Sequence, residues 1–97
     1  MIETTPWDSA KYLQSDEAVE AYLQDAFDSG DTAEIADALG VIARAKGMTR
    51  IAEQAGLSRT ALYRTLSPEG RPELSTLLKV MHAMHLRLTP VTIKPAA

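Results

Sequence analysis

The chain has 97 residues, no cysteine and a formal net charge of −3, with 45% hydrophobic and 24% charged residues. That length builds one domain with a modest core, and the balance is that of an ordinary globular protein. Disulfide frameworks and thiolate chemistry are excluded, which fits a reducing cytoplasm, and no apolar run approaches a membrane span or the apolar segment of a signal peptide.

Residues 1–6 read as a frayed tail. Asp8 is a candidate cap for a short helix carrying Tyr12 and Leu13, with Trp7 just outside it as a hydrophobic staple. Ser15 is placed to cap a helix over 16–29, where Ala18, Val19, Tyr22, Leu23, Ala26 and Phe27 recur at helical spacing and the acids lie opposite. Gly30 fits the position that ends it. Asp31, with Glu34 three residues on, starts a helix over 32–46 with Ile35, Leu39, Ile42 and Ala43 inward, and Gly47 stops it.

Residues 49–66 then carry the layout of a DNA-binding helix-turn-helix. Thr49 reads as the cap of its first helix. Ala52 sits where two helices cross, Gly56 supplies a turn in which a positive φ is expected, and Leu57 anchors that turn. Ser58 is placed to cap the second helix. Ala61, Leu62 and Leu66 face inward, which leaves Arg59, Thr60, Tyr63 and Arg64 outward, a hydrogen-bonding set without an acid. A helix entering a phosphate-lined groove requires that. The bland alternative is a tight corner in an all-α protein. Residues 67–72 form a turn-rich connector. Pro72 suits the first turn of a helix running to about residue 85, with Leu74, Leu77, Leu78, Met81 and Met84 on one stripe. Residues 87–93 alternate, with Leu88, Val91 and Ile93 against polar neighbours. This predicts a short strand, limited by Pro90 to an edge or a two-stranded pair. Such a strand pairs with its copy in a second subunit or remains a tail, so Leu88, Val91 and Ile93 are the candidate dimer contacts.

The modest net charge conceals a split. Residues 1–40 hold ten acids and one base, for a net of −9, whereas residues 41–97 hold nine bases and three acids, for a net of +6. Halves of opposite sign suggest two partners, phosphate for the basic half and a basic protein for the acidic half. The competing explanation is a solvated helix face. Trp7, Tyr12 and Leu13 are the candidate anchors for a protein partner, and each serves equally well as core.

Catalytic and metal chemistry have little footing. His82 and His85 are three apart, but no cysteine or third histidine completes a metal set. There is no nucleophile elbow and no phosphate-binding glycine-rich loop. The expectation is a protein that is not an enzyme and holds no metal or cofactor.

Taken together these residues resemble the HigA-like addiction-module antidote proteins, a branch of the lambda-repressor-like helix-turn-helix family. The resemblance rests on Ala21-Tyr22-Leu23, Ala38-Leu39-Gly40, Ala43-Arg44-Ala45-Lys46-Gly47-Met48, Ile51-Ala52, Gly56-Leu57-Ser58-Arg59, Ala61-Leu62-Tyr63 and Thr76-Leu77-Leu78-Lys79-Val80, and it spans about residues 7–88. The family usually ends its last long helix Ala-Leu-Gly-Leu. Here the run is Ala83-Met84-His85-Leu86, so either His85 takes the left-handed position at some cost or the helix runs on. The resemblance implies that Arg59, Thr60 and Arg64 touch bases while Tyr63 stacks or reaches a phosphate. Thr49, Arg50 and Ser58 complete the DNA-binding set, with Thr49 and Ser58 positioning the phosphate backbone. It also implies a RelE/HigB-like toxin as partner and repression of the chain's own operon.

The sequence is therefore read as an all-α domain of five or six short helices, with a lambda-repressor-like helix-turn-helix and a short C-terminal β-strand. One domain covers 1–97: an acidic helical extension over 1–30, a DNA-binding core over 31–86 and a strand and tail over 87–97. It acts as a homodimer on double-stranded operator DNA, binds no membrane, and neutralises a toxin by direct contact. The rival readings are a stand-alone phage-type repressor and a plain interaction module.

Overall fold

The computed structural model describes residues 15–95, and in them five helices: α1 (Asp16–Ser29), α2 (Thr32–Lys46), α3 (Met48–Ala55), α4 (Arg59–Thr65) and α5 (Leu74–Ala83). The short helix expected around Tyr12 lies outside these residues, as do Trp7, Tyr12 and Leu13.

The first two helices begin and end where their cap residues dictate. Ser15 Oγ accepts from Ala18 N at 3.1 Å, and Asp16 and Glu17 in the first turn face the positive end of the dipole. Gly30, at φ 69°, closes α1. Asp31 Oδ1 accepts from Ala33 N at 2.8 Å and Glu34 N at 3.3 Å, opening α2 one residue later. Between them Ser29 Oγ donates to Ala26 O and accepts from Asp31 N, tying the corner together.

Packing runs α1 on α2, α2 on α3, and α3 on both α4 and α5. One apolar cluster results, with Leu39, Ile42, Ile51, Leu62, Val80 and Met84 essentially sealed from solvent. Val19, Leu23 and Ala26 of α1 belong to that cluster, so the acidic helix is part of the core rather than an appendage to it. No charged or polar side chain is buried among the described residues. Hence their acids and bases all lie on the surface, where they set the field seen by partners.

The structure corrects four expectations. Helix α3 starts at Met48 with Gly47 at its N-cap and no side-chain cap, so Thr49 lies inside the first turn instead of capping it. Buried Met48 draws the helix start back by packing into the core. Pro72 precedes the N-cap of α5, which is Glu73. The inward stripe of α5 is Leu77, Val80, Met81 and Met84, while Leu74 and Leu78 are exposed. Finally, the described residues contain no strand: residues 87–95 have no regular secondary structure and no backbone pairing to another described residue. A lone segment interrupted by Pro90 has no ladder partner within the fold. Leu88, Val91 and Ile93 all stand exposed on it.

The end of α5 settles the question posed by His85. This residue takes φ 61°, His85 N donates to His82 O at 2.9 Å, and Leu86 N donates to Met81 O at 2.9 Å. That pair of bonds is a Schellman motif. The helix stops, and Leu86 folds back against the core.

Candidate nucleic-acid interface

Seven residues make a marginal helix in isolation, so α4 depends on what holds its ends and its inner face. Upstream, α3 closes in a second Schellman motif: Gly56, at φ 74°, donates to Glu53 O at 3.2 Å and Leu57 N donates to Ala52 O at 2.9 Å. A side chain at that left-handed position would be strained. Ser58 then opens α4, its Oγ accepting from Ala61 N at 3.0 Å. The inner face is fixed by fully buried Leu62 and by Leu66. Ala52 and Ala55, both buried, keep α3 slim on its inner side.

The far end of α4 is clamped as tightly. Ser67 Oγ donates to Arg64 O at 2.8 Å, and Gly70 N donates to Ser67 O at 2.9 Å. Gly70 lies so close to this helix end that a Cβ on it would collide with the carbonyl oxygens of Arg64 and Thr65. Arg71 follows at φ 42°, a second non-glycine residue in left-handed backbone.

A short, rigid helix results, and its outer face consists of Arg59, Thr60, Tyr63 and Arg64, all exposed. The helix contains no acid. Arg59 does not wave freely. Its guanidinium lies over the Tyr63 ring at 5.6 Å from the centroid, and its Nη2 donates weakly to Tyr63 Oη at 3.4 Å. Such an exposed pair is worth about 0.5–1 kcal/mol, enough to bias the arginine without locking it. Thr49 and Arg50 are exposed in the first turn of α3, which packs on α4. The first N–H groups of α3 receive no side-chain cap, and a helix N-terminus favours an anion.

Of the expected DNA-binding residues, Arg59, Thr60, Tyr63 and Arg64 share one helix face, while Thr49 and Arg50 share the start of its neighbour. The Ser58 hydroxyl already accepts the Ala61 N–H. The pairing of Arg59 with Tyr63 has a local signature in their i, i+4 spacing, whereas the close approach of Gly70 has none. His82 and His85 are both exposed, and the described residues contain no group of three metal-binding side chains. None of the described helices is long and apolar enough to cross a membrane.

No solved structure matches this chain. An uncharacterized protein of Haemophilus influenzae (strain ATCC 51907 / DSM 11121 / KW20 / Rd) is 42% identical over 81 residues, covering 84% of each chain. Residues 3–92 match the family described as "Probable addiction module antidote protein". That span takes in all five helices and the loops that clamp α4, and the chain belongs to this addiction module antidote family.

Proposed function

We propose that the chain is a HigA-like antitoxin that works in the cytoplasm as a homodimer, binds operator DNA to repress its own operon, and neutralises a RelE/HigB-like ribonuclease toxin. The α3–turn–α4 unit is the DNA-binding helix-turn-helix of the lambda-repressor-like kind. The observation that carries this reading is the outer face of α4, which bears two arginines, a threonine and a tyrosine with no acid among them. Its clamped ends hold that face to one geometry. Arg59 and Arg64 suit guanine, whose O6 and N7 accept a bidentate guanidinium. Thr60 serves a second base edge, and Tyr63 serves a phosphate or stacks. Thr49, Arg50 and the first N–H groups of α3 grip the backbone.

Antidote proteins act against a toxin, and the charge split gives the two partners separate surfaces. Residues 41–97 carry the bases and face DNA, while the acids of residues 1–40 attract a basic protein. Val19, Leu23 and Ala26 are occupied in the core. Apolar contacts to the toxin therefore fall to other residues of that half, for which Trp7, Tyr12 and Leu13 are the candidates.

The test is titration of the purified protein on the DNA upstream of its own gene, at several salt concentrations. Arg59→Ala and Arg64→Ala should each cost roughly 1–3 kcal/mol and relax preference at one base pair. If both variants bind with unchanged affinity, α4 is not the reading helix.

A further inference from the structure

Helix α1 carries two adjacent ridges. Leu23 and Phe27 form one, and Glu20, Gln24 and Asp28, each four residues from the next, form the other. Leu23 is buried and Phe27 half-buried, whereas the three polar residues of the second ridge are exposed. Both ridges line one side of a groove that the end of α5 leaves beside α1, with a volume of about 810 Å³. Met81 and Leu86 complete its apolar floor. The far wall is the chain's own, where the Schellman turn at His85 sends residues 87–91 past α1. That wall is apolar and open, with Leu88 39% and Val91 76% exposed. Arg87 stands on it too, so the acids of the groove occupy the α1 wall alone. An open apolar surface rimmed by polar residues marks an interaction site.

We infer that this groove is where the chain grips the basic protein it counters, by receiving a short amphipathic segment with apolar side chains on its inner side and lysines or arginines along one edge. This rests on the toxin-binding part of the reading above and assigns it a surface. Membership of an antidote family supplies a protein partner. The acidic ridge lies directly beside the apolar floor, so one segment engages both, and a basic edge complements Glu20 and Asp28. The chain's own residues 87–91 already form the opposite wall, so the occupant comes from outside it. From Glu20 to Asp28 the ridge runs about 12 Å at the helical rise per residue, which is the length of two turns of a helix laid into a groove. The unequal walls fix the direction of the incoming segment, with its bases toward α1 and away from Arg87. Contact with the floor supplies most of the affinity, and the acids speed encounter. No residue of α3 or α4 lines the groove, so the helix that faces DNA is not part of this surface.

The test titrates the full chain with the purified product of the gene adjacent to its own, with thermal unfolding to confirm that each variant is folded. Val91→Asp alters an exposed side chain of the far wall and should weaken binding at least about tenfold. Glu20→Lys with Asp28→Lys should do the same in low salt and lose less in high salt. The control makes the same change of charge on exposed acids between α1 and α2, outside the groove: Asp25→Lys with Glu34→Lys should lose no more than about threefold, through long-range attraction alone. Equal losses for the two charge pairs, with Val91→Asp unaffected, show a diffuse attraction of the acidic half; that overturns the inference and leaves the toxin reading standing. Full binding by every groove variant places the contact elsewhere on the chain and overturns it too. Sedimentation supplies the remaining outcome: a homodimer that Val91→Asp dissociates, with binding of the product unchanged, gives the groove to a second copy and overturns the inference. A wild-type chain that does not bind the product removes both this inference and the toxin reading beneath it.

Discussion

Replacing His85 by glycine should stabilise the protein. His85 occupies φ 61° at the turn that ends α5, and left-handed backbone costs a residue with a Cβ roughly 1–2 kcal/mol. Glycine escapes that cost but loses about 0.5–1 kcal/mol more conformational freedom on folding. The difference leaves a net gain of about 0.5–1 kcal/mol for His85→Gly. The imidazole is exposed, so little packing is lost with it. In a domain of this size such a gain raises the Tm by roughly 2–8 °C. His85→Val should do the reverse, because a β-branched side chain tolerates the left-handed region worst. Thermal unfolding followed by circular dichroism reads both. A glycine variant that melts at or below the wild-type temperature, with a valine variant unchanged, would refute the left-handed turn. The direction in which the C-terminal arm leaves the core would then be wrong as well.

Three other substitutions probe how α4 is held. Ser58→Ala removes the side-chain cap on Ala61 N and should cost about 0.5–2 kcal/mol in urea unfolding; no loss would mean that the start of α4 is held by packing alone. Gly70→Ala forces a methyl group against the carbonyl end of α4, so it should cost about 1–3 kcal/mol of stability and weaken DNA binding further by shifting Arg64. An unchanged melting temperature would show that the 67–71 loop gives way freely. Leu62→Ala empties the inner side of α4 and should cost about 2–5 kcal/mol, read by the same unfolding assay; a loss below 1 kcal/mol would deny Leu62 its place in the core.

How much of this was legible in the sequence depends on how local the cause was. Ser15, Gly30, Asp31 and Ser58 act through bonds to residues two to four positions away, so the limits of α1, α2 and α4 could be read directly. The outward face of α4 followed from helical periodicity around Leu62 and Leu66. Thr49 misled because a threonine before an apolar run is a good cap, yet burial of Met48 began α3 one residue earlier. On α5 the periodicity admitted two adjacent stripes. Packing against α3 chose the one with Val80 and left Leu74 and Leu78 exposed. Alternation over residues 87–93 predicted a strand that the described residues do not form, because alternation does not supply a partner strand. The tight fit of Gly70 against α4 is a tertiary contact, invisible to any local pattern.

The proposal of two partners on separate surfaces of one small fold is tested most directly by a growth assay. The product of the gene adjacent to this one is co-expressed with the wild-type chain, with the Arg59→Ala, Arg64→Ala double variant, or with a chain lacking residues 1–14. The adjacent product alone should arrest growth. The wild-type chain and the double variant should both restore it, because the proposed reading gives the exposed arginines of α4 to DNA and not to the toxin. The chain lacking residues 1–14 retains all five helices and should protect poorly. A harmless neighbouring product, or protection lost with the two arginines and kept without residues 1–14, would contradict the assignment of toxin to the acidic half and DNA to α4.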